Sequence, residues 1–383
     1  MALISLEEAR RLINDYSFNL RCKAKEMDVL RAGGRALARD LIATKNVPDK
    51  RLSAMDGYAV RYEDLKLGRL RISGKVFPDS VQPSLMPGEA YYVATGAPIP
   101  SGADTVVRVE NSRTTEDGYV EFKGEVMRGK DIREVGEDAK EGDVILRRGE
   151  ILTANKIGLV LTQGVKSIDV MDLQFSIFAN GDELAPFYSD EGNRDIISPM
   201  VMEFLRPFGS SKYLGVARDN IEDVRSNILK GVEESDVVIS IGGSSVGEKD
   251  FVKRVIREEG DLLFEGISTN VIKRGAMGAI KGKPVLVLPG QVVSAFLVLH
   301  ELVFSLLSRF GVQRRKLKVK LGEELLVTHN MDSTFLFQID GCYAKPMRWG
   351  VGLYSELAKA NSYGYLKRLS HYRKGEEIEL YLL

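Results

Sequence analysis

Two short stretches combine glycine, hydroxyl and carboxylate residues in a pattern suited to anion chemistry. "VVISIGGSSVGEKDF" (237–251) runs from an apolar segment into Gly242, Gly243, Ser244, Ser245 and Gly247 and ends on Glu248 and Asp250. "FSIFANGDEL" (175–184) has the same sense, with Gly181, Asp182 and Glu183 after the apolar run. A third turn follows "KPVLVLPG" at Gly290 and Gln291, with Ser294 opening the next helix. A glycine-rich turn at a helix start exposes backbone N–H groups, and the helix dipole adds partial positive charge, which makes an anion cradle. Ser244 and Ser245 add hydroxyl donors. The four carboxylates would repel a bare phosphate if they faced it. A divalent cation bridging carboxylate and phosphate removes that conflict, and Mg2+, with its hard oxygen ligands, is the usual choice. Any one turn has a purely structural explanation, since glycine closes tight turns and acids favour the first turn of a helix. Three at one sheet edge favour a ligand. The spacing of "GGSSVG" is not that of a dinucleotide fingerprint.

A second set of polar residues lies in "RLSAMDGYAV" (51–60), "YYVATGAPIPSGADTVVRVE" (91–110) and "REVGEDAKEGDVI" (133–145), which carry Asp56, Thr95, Asp104, Arg133, Glu137 and Asp138. Taken singly these are hairpin and capping residues.

The elements that must position both sets follow from periodicity. Residues 5–45 carry helical spacing, and "VLRAGGRALARDLIAT" extends it despite Gly33 and Gly34, predicting a helical arm. From Val47 to about Glu150, short β runs separated by Pro and Gly turns predict a small all-β module. "TANKIGLVLTQGV" returns to a helix pattern, and residues 170–310 alternate strand and helix. That alternation implies a parallel sheet with helices on both faces, with ligands at the carboxyl ends of its strands. Beyond Lys316 a second small β domain is expected.

Composition narrows the function. At 383 residues the chain exceeds what one core usually serves, so several domains are expected. Lys plus Arg (54) balances Asp plus Glu (54), and the charges are interspersed, so no global field recruits nucleic acid or anionic lipid. Cys22 and Cys342, with His300, His329 and His371, have no metal-ligand spacing, which argues against zinc and suits a reducing cytoplasm. The N-terminus is charged and amphipathic rather than a signal peptide. The longest apolar stretch, "AFLVLHELVFSLL", carries His300 and Glu301 and reads as too short to span a bilayer, so a soluble protein is expected.

Taken together, "SAMDGYAV", "TGAPIPSGADTVVRVE", "REVGEDAKEGDVIL", "GDEL", "GGSSVGEKDF" and "GKPVLVLPGQVVSAF", in this order, resemble the MoeA family of molybdenum cofactor biosynthesis, which includes the E domain of gephyrin. The resemblance covers essentially the whole chain. It implies a multidomain α/β plus β architecture with a helical linking domain (1–46 and 140–170) and an inserted β module (47–139). A central doubly wound α/β molybdopterin-binding domain (171–312) and a C-terminal β barrel (313–383) complete it. It implies a homodimer whose cleft joins the α/β domain of one subunit to the β module of the other. The implied activity is Mg2+-dependent insertion of molybdate into adenylylated molybdopterin with release of AMP, in the cytoplasm. The molybdopterin adenylyltransferase is a candidate partner, and tungstate is a candidate alternative to molybdate.

Carried over by motif, Asp56, Asp138, Glu183 and Asp250 are the candidate catalytic acids, with Glu183 and Asp250 on the metal. Thr95, Gly181, Gly242, Gly243, Ser244, Ser245, Gly247, Lys273, Arg274, Gly290 and Ser294 are candidate substrate-binding positions. The chain departs from the family pattern at Asn180, where Ser or Thr is usual before "GDEL", in "GGSSVG" for "GGVSVG", and in "PGQV" for "PGNP". "KRGAMG" (273–278) has Ala276 where the family supplies a second lysine, Val351 stands for a small hydroxyl residue, and "STFLFQI" lacks an expected arginine. Arg274 or Arg348 could compensate. Two competing readings follow: a non-catalytic molybdopterin-binding or scaffold paralogue, suggested by Ala276 and Val351, and a nucleotide pyrophosphatase-like hydrolase, against which the β module argues.

Overall fold

Ser5 starts the first helix. Its Oγ accepts the Glu8 N–H at 3.1 Å, and Glu7 and Glu8 sit in the turn where free N–H groups favour negative charge. Helix α1 (Leu6–Asp15) buries Leu6, Ala9 and Ile13, a single apolar face. The structure is a computed structural model and describes residues 3–243 and 250–383.

The helix expected to run on to residue 45 ends at Asp15, which corrects the sequence reading. Strand β1 (Ala24–Asp28) pairs antiparallel with residues 167–171, Lys25 opposite Val170. Asp28 then caps a single 3-10 turn by accepting the Leu30 N–H at 2.9 Å, and Gly34 takes φ +79°. The Ala36 N–H goes to Pro207 O at 2.8 Å and the Leu37 N–H to Glu150 O at 2.9 Å. A glycine pair weakens the helix, and partners far along the chain take the backbone groups a helix would have used.

The chain divides into two units. The smaller comprises Asp40–Leu146 and Gly158–Val165. Its strands β2 (Gly57–Val60), β3 (Arg69–Val76), β4 (Glu89–Val93), β5 (Thr105–Arg108), β6 (Ser112–Thr114) and β7 (Tyr119–Phe122) form one sheet in the order β5-β2-β4-β3-β7-β6. Ala59, Val76, Val93 and Val106 fill one core, and Tyr58, Val60, Leu70, Val107 and Val120 another. The alternation of Tyr58, Ala59 and Val60 between them is the period-2 signature of a strand. Gly57 is required at a close approach: a Cβ there would lie 2.5 Å from Val107 O.

The helix pattern after residue 150 forms α2 (Ala154–Thr162). The larger unit then carries β8 (Ser167–Met171), β9 (Leu173–Asn180), α3 (Ile197–Leu205), β10 (Gly209–Ala217), α4 (Ile221–Glu234), β11 (Val237–Ile241) and α5 (Phe251–Glu259). These are followed by β12 (Gly260–Phe264), β13 (Ala276–Ile280), β14 (Lys283–Leu288) and α6 (Val292–Leu307). Six of the strands form a sheet in the order β10-β9-β11-β14-β13-β12. β10, β9, β11 and β14 are parallel, but β13 and β12 join antiparallel, so the sheet is mixed rather than all-parallel as expected. In β14, Leu286 and Leu288 face a core with α1, α3 and α6, while Val285 and Val287 face one with α4 and α5. Both faces are buried, which is why these strands read as continuous apolar runs.

Helix α6 continues through a 3-10 turn, giving 19 residues (Val292–Phe310) long and apolar enough to cross a bilayer by length and composition, but 78% buried as a core helix. Beyond it, β15 (Lys316–Leu321), β16 (Ser333–Asp340), β17 (Tyr343–Pro346), helix α7 (Tyr354–Lys359), β18 (Ser362–Leu366) and β19 (Glu377–Leu382) complete the unit. The five strands close as a barrel, β15-β17-β16-β18-β19, around Val319, Leu321, Phe335, Phe337 and Leu380. The expected combination of an α/β region, a β module and a C-terminal barrel is therefore present.

Candidate functional site

The carboxyl ends of β9, β11 and β14 meet at one edge. The Gly242 N–H donates to Leu288 O at 2.9 Å, and a Cβ on Gly290 would come within 3.7 Å of Gly242 Cα. Gly242 has φ +82°, and a Cβ there would stand 2.8 Å from Asn180 O. The glycine is demanded by conformation and by closeness together. Gly243, φ +66°, lies between Asn180 and Val252. Ser244, Ser245, Gly247 and Glu248 fall outside the described residues.

Gly181 has φ +147°, and the exposed Glu183 carboxylate folds back over it: a Cβ on Gly181 would lie 2.6 Å from Glu183 Oε2. Asp182 is occupied structurally, accepting the Asp219 N–H at 3.1 Å. Asp250 stands at the N-cap of α5 but makes no side-chain cap hydrogen bond. Its Oδ2 lies 2.8 Å from Lys253 Nζ, and Oδ1 is buried with no hydrogen-bond partner among the described residues.

Lys273 and Arg274 reach the same edge through the antiparallel strand. Ala276 pairs with Val287 and Ile280 with Lys283, so β13 begins where β14 ends. Both cations are exposed. Ala276, in contrast, is fully buried in the core beside α4 and α5. A lysine at this position would carry its stem into apolar packing. Ser294 is only 3% exposed, in the first turn of α6. The neighbouring Val293 N–H is already taken, donating to Val351 O at 2.9 Å.

In the smaller unit, Gly57 pairs with Val93, which sets Asp56 and Thr95 just beyond the ends of adjacent strands. Asp56 Oδ1 accepts from the Thr95 N–H at 2.7 Å and from its hydroxyl at 2.9 Å. These two donors hold the Asp56 carboxyl below the usual carboxylate range, backbone donor first. Asp138 is exposed; its N–H donates to Val47 O at 2.9 Å, and its carboxylate has no hydrogen bond among the described residues. Ile132 pairs with Ser53 and Ala139 bridges Val47, so Asp138 and Asp56 lie toward opposite ends of one antiparallel run and make no contact with each other. Asp104 is a structural acceptor, bonded to the Tyr62 N–H and to Arg128 Nε at 2.7 Å each, and Arg133 pairs with Glu137 at 3.7 Å.

Two polar residues at the edge take roles the sequence did not indicate: Asn180, noted there only as a departure from the family pattern, and Lys253. Asn180 donates through Nδ2 to Ser240 Oγ at 2.7 Å and to Ile241 O at 3.0 Å. Because a carbonyl only accepts, the amide orientation is set, and Oδ1 is left buried without a partner among the described residues. Lys253, in the first turn of α5, is only 1% exposed. Its spacing from Asp250, three residues on, was the available signal. Among the described residues no group of three or more His, Cys, Asp or Glu is placed to hold a metal by itself. A groove of about 930 Å³ beside α1 and the barrel, lined by Arg10, Lys316, Asp332, Lys367 and Glu379, contains none of the edge residues.

The kinship of the chain agrees with this geometry. Residues 4–164 match the MoeA N-terminal region (domains I and II), and residues 176–309 match a probable molybdopterin binding domain. A putative molybdopterin biosynthesis protein of Methanocaldococcus jannaschii is 30% identical over 375 residues, spanning 94% of this chain and 92% of the relative. A molybdopterin molybdenumtransferase of Haemophilus influenzae is 31% identical over 324 residues, 82% of this chain and 79% of the relative. A solved molybdopterin biosynthesis MoeA protein from Pyrococcus horikoshii has a TM-score of 0.76 at 26% identity, covering 100% of this chain and 99% of that one. Identity at this level, sustained along nearly the full length of both chains and accompanied by the same fold, places this chain in the MoeA family.

Proposed function

We propose that this chain acts in molybdenum cofactor biosynthesis as a molybdopterin molybdotransferase, inserting molybdate into adenylylated molybdopterin and releasing AMP. The observation that carries the reading is the carboxyl edge itself. Backbone-exposing Gly242, Gly243 and Gly290 lie there, β13 starts there just after the exposed cations Lys273 and Arg274, and Asp250, with one oxygen that has no partner among the described residues, opens α5.

Mg2+ usually keeps several waters and takes one or two carboxylates together with substrate phosphates, so a cage of protein ligands is not required. The hard, buried Asp250 Oδ1, unpartnered among the described residues, suits it, with the exposed Glu183 carboxylate as the second donor. Bound there, Mg2+ would neutralise charge on the phosphoryl oxygens. Gly242 and Gly243 let the backbone approach the phosphate closely, and Lys273 and Arg274 orient phosphate or the molybdate oxyanion. Asn180 offers Oδ1 to a hydrogen-bond donor of the substrate. In a homodimer, Asp56, anchored by Thr95, and Asp138 would orient water or substrate from the β module of the second subunit. The four-part domain division, a cytoplasmic location and handover from the molybdopterin adenylyltransferase belong to the same reading.

Burial of Ala276 favours the scaffold alternative, because the cation the family supplies there has no room to be charged. Purified protein incubated with adenylylated molybdopterin, molybdate and Mg2+ separates the two: AMP release with metal insertion is the transferase, and substrate binding with neither product is the scaffold. Asp250→Ala should abolish turnover with the fold intact, and unchanged turnover would remove Asp250 from the mechanism. Tungstate assayed in parallel ranks the two oxyanions.

A further inference from the structure

Lys253 occupies a position that works against the fold on three counts. Its side chain is 1% exposed among Val252, Val255 and Ile256. It sits in the first turn of α5, where the helix dipole disfavours a cation. Among the described residues Nζ makes no aligned hydrogen bond, although it lies 2.8 Å from Asp250 Oδ2. An apolar side chain of the same length would suit the packing, since buried ion pairs are often no better than hydrophobic replacements. Asp250 is also out of its default role. An aspartate at an N-cap normally accepts an N–H of the first turn, and this one makes no such bond.

We propose that Lys253 is a positioning residue: by holding Asp250 through Oδ2 it prevents the carboxylate from capping α5 and keeps Oδ1 available at the carboxyl edge. This rests on the reading of Asp250 as a site acid. Lys253 acts through Asp250 and touches no reacting atom.

The test is a double-mutant cycle of Lys253→Met, Asp250→Asn and the pair, with two independent readouts. In steady-state AMP release, Lys253→Met should lower kcat by on the order of tenfold or more while KM changes by less than about threefold. The pair should fall no further than Asp250→Asn alone, because residues acting as a unit are not additive. Crystal structures of wild type and Lys253→Met supply the second readout: the Asp250 carboxylate should swing onto the first-turn N–H groups of α5. Lys253→Gln replaces Lys253→Met should the latter not fold. A kcat for Lys253→Met within about twofold of wild type, or multiplicative loss in the pair, overturns the proposal. So does an Asp250 carboxylate that stays in place without the lysine. Wild type without AMP release would instead overturn the transferase reading, and the crystallographic comparison would then decide the role of Lys253 alone.

Discussion

Replacing Glu301 by Gln should destabilise the larger unit by several kcal/mol, because the carboxylate is the hub of a buried charge network. It is 1% exposed on α6 and accepts from Arg10 Nε at 2.7 Å and Nη2 at 3.0 Å, from the Tyr365 hydroxyl at 2.6 Å, and from Arg314. Burial alone would raise its pKa, but the Arg10 hydrogen bonds and the charges of Arg314 and Arg10 outweigh that and bring it down from 4.5 to about 2. At about 1.4 kcal/mol per pH unit, that gap corresponds to about 3 kcal/mol. The folded value is below the unfolded one, so this stabilisation is whole above pH 4.5 and is lost as the pH falls through about 2. Glu301→Gln removes the anion from between two guanidinium groups that are themselves largely buried, and breaking such a pair costs about 3–5 kcal/mol. Urea denaturation at pH 7, followed by circular dichroism, should show a lower midpoint with unchanged m. The triple replacement Arg10→Met, Glu301→Leu, Arg314→Met should recover most of the loss, because no charge is then left unpaired. A loss below about 1 kcal/mol for Glu301→Gln would refute the argument that desolvated charge, rather than packing, dominates here.

His300, next along α6, is pushed down from 6.5 to about 3 by burial and then by the charge of Arg314, so it folds neutral. Its stabilising effect is present above pH 6.5 and declines as the pH falls toward about 3. Wild type should therefore lose about 2 kcal/mol between pH 6.5 and 5, and His300→Phe should flatten that window; equal slopes would exclude His300 as the cause. Thr95→Val removes the hydroxyl donor to Asp56, so carbon-detected NMR titration should find the Asp56 pKa higher, and an unmoved value would mean the backbone N–H suffices. Gly181→Ala puts a Cβ 2.6 Å from Glu183 Oε2 at φ +147°. Turnover should fall by on the order of tenfold or more as Glu183 is displaced, and unchanged turnover would place Glu183 outside the site.

What could be read before folding was whatever the chain encodes over a few residues. The Ser5–Glu8 cap and the apolar run of β14 each declare an element locally. Glycine turns at strand ends announced where the carboxyl edge would lie, because Gly181 and Gly242 adopt backbone angles that few other residues tolerate. Where the local signal was weak it misled: Ala36 and Leu37 have helical spacing but give their N–H groups to Pro207 and Glu150.

Tertiary structure alone decided the fate of the charges. Glu301 and His300 sat in an apolar stretch with no visible partner, and Arg10, which answers Glu301, is 291 residues away. The oxygens of Asn180 and Asp250 that lack a partner among the described residues, and the buried ammonium of Lys253, likewise emerge only when strands brought from distant segments close an edge around them. Conformational preference is a property of neighbouring residues and is written in their order. Desolvation depends on everything that surrounds a group in space, so an ionisable side chain acquires its role only once the chain has folded about it.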